Sequence, residues 1–439
     1  MVISANYLKI DKVLNLLVVL FPIFFILGNF SINAFTVIFS MLSLVYFIKN
    51  KVKFSLEFYE VIFLIFCLSI ILSSIINEHN VVKSIFYLRF FILFYFLNYF
   101  LSKNIINLEK ALKFYFFFVS IIALDLIIQH FLGFNVIGLK ILDNGATSFF
   151  GDERIAGSFI KQFGFFAAFF LFEKLNLKKN MKFILRVIYL SILNIAILVS
   201  WQRVPMLMWF IFFTMYGLCY FKTKFLSILT SFIILMIFIN IFTPDTAQQK
   251  YGSFYDNASE LIIKSMKIYE ITTDEEKLEE IKWDKEKRVN MNRGSGHHNL
   301  FMNAIFVWED NKIFGVSLKN FLKKCNEKSL FKCSQHPHNF YLDILVTTGL
   351  LGLIIILTFL IIVLLNIIKI SKTLYRTKNS LNSKYLILLI FNFLMYFFPL
   401  QSTGGFFTTS NSTYMIVITS LLITMIFNKR DKKIKSNHI

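Results

Sequence analysis

The sequence has 439 residues, of which 56% are hydrophobic and 16% are charged, and its formal net charge is +20. Soluble proteins are about half apolar at most. Here the apolar residues form blocks of about 17–25, each long enough to cross a hydrocarbon core of about 30 Å. This pattern excludes a soluble enzyme and predicts an all-α polytopic membrane protein. The basic residues lie in short loops and in the C-terminal tail, where they act as topology signals, so no nucleic-acid binding is predicted.

The apolar blocks predict about twelve transmembrane helices. They lie at residues 12–28, 31–48, 58–76, 85–101, 112–131, 158–173, 183–200, 204–221, 224–243, 340–368, 383–400 and 405–427. Lysines and arginines are concentrated in every second loop and in the tail, so these loops and both termini are predicted to be cytoplasmic. No small-residue cleavage site follows the first block, which is therefore predicted to be a retained helix and not a signal peptide.

The predicted organisation has four segments. They are transmembrane helices 1–9 in residues 1–243, an extracytoplasmic loop in 244–339, transmembrane helices 10–12 in 340–427, and a basic cytoplasmic tail in 428–439. Within the large loop, the mixed charges of residues 257–289 predict one or two solvated amphipathic helices. Residues 297–309 carry apolar side chains at helical spacing, which predicts a helix lying on the membrane surface.

Two cysteines lie in this large loop. Cys325 and Cys333 are separated by seven residues and precede the sequence HPHN. An oxidising compartment permits a disulfide between them, and we predict one. The alternative is a zinc site that includes His336 or His338, but the spacing fits no usual zinc pattern.

Ionisable residues in or beside the apolar blocks need a reason, because charge is costly there. Arg89 and Asp125 lie within the fourth and fifth blocks, and they either form a buried pair that holds two helices together or have a function. Arg203 lies in SWQRVP at the predicted outer end of a block. Its guanidinium either reaches lipid phosphate or binds a diphosphate through its planar fork.

Two further arginines lie on the predicted outer side. Arg154, in GDERIAGSF, either pairs with Asp152 or Glu153 or binds substrate. Arg293 lies in NRGSGHH, where glycines allow close backbone approach. Together with Arg203, they would be able to hold an anionic head group at the outer leaflet.

The HPHN sequence lies at the mouth of the tenth predicted helix. His336 and His338 are either packed interface residues or functional groups. Histidine titrates near neutrality and can take a proton from a hydroxyl group. Asn339 is suited to orienting an imidazole or a sugar hydroxyl.

At these residues the sequence resembles a known family. HPHNFYLDILVTTGLLGLI resembles the signature of the O-antigen ligase and polymerase superfamily, which has His-Asn, an aromatic residue, leucines and a Gly-hydrophobic-hydrophobic-Gly pattern. The matching residues are His338, Asn339, Tyr341, Leu342, Leu345, Gly349 and Gly352. Upstream, KIFGVSLKNF keeps Phe314, Gly315 and Phe321 of the family's turn, with Lys312 in place of its proline and Ser317 in place of its second glycine.

The resemblance implies a membrane glycosyltransferase of the GT-C type that uses no metal or cofactor and takes an undecaprenyl-diphosphate-linked glycan as donor. It assigns the catalytic role to His338, and it makes Arg203 one of the arginines that hold the diphosphate. Many members have arginine where this chain has Gly296-His297-His298, so Arg293 or His297 is expected to replace it. The predicted substrate-binding set is Arg203, Arg293, Arg154, His297, His336 and Asn339. The expected reaction is a direct displacement with inversion.

The favoured function is an O-antigen ligase of the bacterial inner membrane, with a periplasmic active site and lipid A-core as acceptor. A polymerase that joins lipid-linked repeat units is the alternative, and a relative that glycosylates protein hydroxyls stays open. The large loop before a single HPHN motif favours the ligase. A flippase for lipid-linked glycans is the hypothesis from another class. A flippase should show repeats and polar groups near the bilayer midplane, whereas this sequence shows no repeat and a polar cluster on one side.

Overall fold

The computed structural model describes residues 2–143, 145–174, 178–219, 223–242, 296–328, 333–376, 380–402 and 404–436. Within these residues the protein is all-α, as predicted, and no strand is present beyond two isolated bridges, Phe134 with Lys140 and Leu142 with Gly145. The predicted amphipathic segment 257–289 lies outside the described residues.

The helices follow the chain in this order: α1 (Val2–Val19), α2 (Phe21–Ile26), α3 (Asn29–Lys49), α4 (Phe58–Ile76), α5 (Val81–Phe86), α6 (Leu88–Ser102), α7 (Leu108–Leu132), α8 (Ala156–Phe169), α9 (Lys179–Val199), α10 (Arg203–Leu218), α11 (Thr223–Phe242), α12 (Gly296–Trp308), α13 (Phe321–Lys328), α14 (Phe340–Arg376), α15 (Leu381–Tyr396) and α16 (Thr409–Ser436). A 3₁₀ turn occupies Ser148–Phe150, and a π turn at Phe170–Lys174 extends α8.

Among the described residues, seven helices are long and apolar enough to cross a membrane. They are Asn29–Lys49, Phe58–Ile76, Val81–Ser102, Leu108–Leu132, Asn180–Val199, Phe340–Ser371 and Thr409–Phe427. Each of the twelve predicted blocks overlaps a helix, but α8, α10 and α15 are shorter, as is the apolar part of α11, Lys224–Ile239. The count of twelve stays a prediction. The last helix continues to Ser436, into the segment predicted as a tail.

Helix α8 lies at the centre of the bundle. It packs against α7, α9, α10 and α15, and nearly all of its side chains are buried. Phe163 makes edge-on ring contacts with Phe25, Tyr115 and Tyr414. A helix that is buried all round needs an apolar surface on every side. The phenylalanines of this segment supply that surface, so any polar residue on α8 faces the protein interior.

Helix α14 is interrupted at Gly349, where φ is +65°. The segment 312–317 runs alongside this break, and the Leu350 amide donates to the Lys312 carbonyl over 2.8 Å while the Val316 amide donates to the Val346 carbonyl over 2.8 Å. A Cβ at Gly349 would collide with the Ile313 backbone. This glycine therefore permits the backbone contact between segment 312–317 and the second and third turns of α14.

The structure corrects two predictions about packing. The predicted pair between Arg89 and Asp125 is wrong, because the Arg89 side chain donates to the Phe86 carbonyl over 3.0 Å. Asp125 instead accepts hydrogen bonds from Ser148 and from the Val136 amide. The predicted helix at 297–309 is present as α12, but Ala304 and other apolar residues on it pack against α13 and the first turns of α14.

Candidate active site

Asn339 joins the start of α14 to the loop between α15 and α16. Its side-chain oxygen accepts the amides of Tyr341 and Leu342 at 3.0 and 3.2 Å, which caps the helix. Its side-chain nitrogen donates to the Pro399 carbonyl over 2.7 Å. The amide is thus largely engaged in holding two backbone segments together, which fixes the position of the residue before it.

The two histidines of the motif lie against each other, with ring centroids 4.2 Å apart. His338 is half-buried and has a left-handed backbone with φ of +58°. Its amide donates to His336 Nδ1 over 3.3 Å, and its Nε2 lies 3.3 Å from the Ser334 hydroxyl. Burial lowers the pKa of His336 to about 4, and electrostatic repulsion by the neighbouring His338 is the second cause. His336 is therefore neutral near pH 7 and accepts through Nδ1, while His338 is held by contacts on its backbone and its ring.

The loop between α15 and α16 closes over this pair. Asp343 is buried one turn into α14, and its Oδ2 accepts the Phe406 amide at 2.7 Å. Gly405 lies between the two groups, since an added Cβ would be 3.1 Å from His336 Cγ and 3.2 Å from Asp343 Oδ2. A side chain at 405 would be tightly crowded by both groups, so the glycine allows the loop to pack closely on the histidine.

A cavity of about 260 Å³ lies beside the motif, between α8, α10, α16 and the α15–α16 loop. Its walls are both aromatic and polar, and they include Phe340, Gln401 and Lys161. Lys161 Nζ lies 3.3 Å from Gln401 Oε1. The start of α14 therefore borders a polar space that contains a buried lysine.

Of the predicted arginines, Arg203 and Arg154 do not line this cavity. Arg203 is half-buried at the start of α10 and lines a different, mostly apolar cavity of about 200 Å³ with Trp209 and Phe232. Arg154 is exposed, and its carbonyl accepts a hydrogen bond from the side chain of Gln202. Arg293 lies outside the described residues, as does the side chain of His297, which belongs to α12.

Residues 185–357 match the family model described as O-antigen ligase. This match supports the assignment of the chain to the O-antigen ligase superfamily. No curated protein matches the sequence. The matched region runs from α9 to α14 and includes Arg203 and the HPHN motif. The match supports a membrane glycosyltransferase of the ligase or polymerase type.

In this protein, a disulfide joins Cys325 and Cys333. Cys325 is fully buried in the small apolar cluster that includes Val307, Phe321 and Val346. The disulfide therefore connects α13 to the segment that enters the HPHN motif. In the described part of the chain, no group of three histidine, cysteine or acidic side chains is placed to hold a metal ion.

Sequence reasoning missed two residues of this site. Asp343 lies four residues after Asn339, on the same helix face, and a carboxylate at that spacing after a capping residue was an available signal. Lys161 falls inside the predicted block 158–173, where an ionisable residue indicates a partner or a cavity. The residue that completes its surroundings, Gln401, is 240 positions away, and no sequence pattern connects the two.

Proposed function

We propose that this protein is an O-antigen ligase that transfers an undecaprenyl-diphosphate-linked polysaccharide to a hydroxyl of lipid A-core at the periplasmic face of the inner membrane. One observation carries the proposal: His338 lies at the start of α14, fixed on both sides by hydrogen bonds, beside a polar cavity and within the family match.

The proposed step is a direct displacement. The acceptor hydroxyl loses its proton to His338 as its oxygen forms a bond to the anomeric carbon of the donor. The bond from that carbon to the diphosphate oxygen breaks, and undecaprenyl diphosphate leaves with the bonding electrons. Attack opposite the leaving group inverts the sugar linkage. Side chains that position an acceptor and stabilise the leaving charge supply much of such catalysis, so the step uses no metal or cofactor.

The surroundings of Arg203 support a lipid-linked donor. The guanidinium is the one charged group among the residues that line its cavity, which otherwise presents almost only apolar surface. A second apolar cavity of about 430 Å³ between α10 and α11 shares Phe210 and Phe232 with the first. The two cavities together form an apolar groove, here called the lipid track, with Arg203 in its wall. Such a groove suits a polyprenyl chain with an anionic end. Arg154, together with Arg293 or His297, would hold the rest of the head group.

The ligase and the polymerase differ in acceptor. A ligase must admit a large lipid A-core molecule, and the long segment between α11 and the HPHN motif favours that acceptor. His336 and Asn339 would shape the acceptor side of the site, because they fix the backbone around His338.

A strain that lacks the protein tests the proposal. Its surface polysaccharide is analysed by gel electrophoresis, and its undecaprenyl-linked glycans are extracted in parallel. Bare lipid A-core with accumulated long polymer on undecaprenyl diphosphate is expected. Lipid A-core that carries a single repeat unit would indicate the polymerase. Normal lipopolysaccharide would contradict both and would direct attention to protein glycosylation or transport.

A further inference from the structure

Lys161 is a buried cation on the central helix α8. Its side chain lies in the second turn of the helix, and the residue is 6% exposed. Its hydrogen bond runs to the neutral oxygen of Gln401 over 3.3 Å. Among the ion pairs of the described residues, none joins Lys161 to a carboxylate. A buried charge without an opposite charge is costly, so an ammonium kept in this position indicates an anionic ligand.

The lysine is connected to the HPHN motif through one residue. The Gln401 side-chain nitrogen donates to the carbonyls of Met395 and Tyr396 over 3.0 and 2.6 Å, so the side-chain oxygen faces Lys161. The Gln401 carbonyl also accepts from Asn339 at 3.4 Å. Gln401 therefore places the ammonium group on the same scaffold that fixes the start of α14.

The cavity suits a head group. Its volume of about 260 Å³ is below the range of about 300–1,000 Å³ typical for drug-sized ligands, and it is far too small for a polysaccharide. Ser158, Asn411 and Tyr396 add neutral polar groups to its wall. A compact ammonium with several neutral hydrogen-bonding groups is suited to phosphate oxygens.

We propose that Lys161 binds the diphosphate of the lipid-linked donor in this cavity and stabilises it as it departs. The proposal rests on the function proposed above and assigns a donor contact outside the predicted arginine set. Pro205 lines this cavity, whereas Arg203, two residues earlier, lines the apolar one. The first turn of α10 thus separates the two cations, with Lys161 on the side of the HPHN motif and Arg203 on the side of the lipid track.

The test measures binding, because binding does not depend on the acceptor. Full-length protein in lipid nanodiscs is titrated with undecaprenyl diphosphate and with neutral undecaprenol, and the ratio of the two affinities is recorded. Lys161→Gln is expected to lower this preference at least about tenfold, as for the loss of a hydrogen bond to a charged group. Lys161→Arg should keep most of the preference. Lys140→Gln removes the same charge from an exposed loop position and should leave the ratio unchanged.

The outcomes separate this proposal from the proposed function. An unchanged ratio in Lys161→Gln, with a clear preference in wild type, would overturn the role of Lys161 alone. No preference in wild type would overturn the donor assignment as well. Inorganic diphosphate that binds as tightly as the lipid would overturn the lipid source. If the glutamine variant does not fold, Lys161→Met, which is similar in length and uncharged, takes its place.

Discussion

The two ends of α8 and its π-turn extension differ in how their buried charges are paired. Towards its end, Glu173 forms ion pairs with Lys224 and with Lys384, the latter over 2.6 Å, and all three side chains are mostly buried. Near its start, Lys161 is buried as deeply and hydrogen-bonds to a neutral amide. The residues are twelve positions apart, or about 18 Å along a helix. One helix therefore carries a paired charge cluster at one end and, among the described residues, a cation without an opposite charge at the other.

This difference suggests a structural role for one end of the helix and a functional role for the other. The Glu173 cluster joins α8, α11 and α15, and its charges are satisfied within the protein. The surroundings of Lys161 are arranged just as definitely, with Gln401 held by two backbone carbonyls, but they lack an opposite charge among the described residues. We infer that the first end holds helices together and the second end holds substrate.

Removal of the carboxylate at the structural end should give the largest loss of stability. Glu173→Gln leaves Lys224 and Lys384 without their opposite charge, and breaking a buried pair in this way costs about 3–5 kcal/mol of unfolding free energy. Unfolding in mixed micelles with increasing SDS measures it. Glu327→Gln is the matched control, because the Lys324–Glu327 pair is exposed, and its unfolding should match wild type. A Glu173→Gln protein as stable as wild type would remove the distinction between the two ends.

Gly349 tests the backbone contact between segment 312–317 and α14. Gly349→Ala places a side chain at positive φ and against the Ile313 backbone. The conformation costs about 1–3 kcal/mol and the collision about 1–3 kcal/mol more. Gly28→Ala is the control, since Gly28 has φ of +85° with no atom within 4 Å of the added Cβ. The difference between the two SDS-unfolding free energies isolates the contact. Equal losses would mean that segment 312–317 does not constrain α14.

Acid should remove the stability that neutral His336 contributes. The folded state lowers the pKa of His336 from 6.5 to about 4. The neutral imidazole is therefore favoured by folding, and its contribution to stability is complete above pH 6.5 and is lost as the pH falls towards 4. Wild-type unfolding free energy should decline over this interval more steeply than that of His336→Gln. Parallel curves would show that His336 keeps its ordinary pKa in the folded protein.

The sequence predicted the helices well because apolar block length and the membrane thickness are linked directly. It also located HPHN, since that motif is contiguous and precedes a long apolar helix. Contacts between segments far apart in the sequence could not be predicted from it. Lys161 and Gln401 lie in separate segments. The need for glycine at 405 is visible only once the α15–α16 loop packs on His336. The incorrect pairing of Arg89 with Asp125 has the same origin, because adjacent blocks gave no information on helix rotation.

The most direct test of the central claim is the initial rate of transfer from undecaprenyl-diphosphate-linked polysaccharide to lipid A-core by purified wild-type and His338→Ala protein at equal amounts. Loss of a general base should lower the rate about 10²–10⁴-fold, while the variant keeps wild-type levels in the membrane and wild-type affinity for undecaprenyl diphosphate. A His338→Ala rate within a few-fold of wild type would contradict the role of His338 as general base and remove this histidine from the reaction.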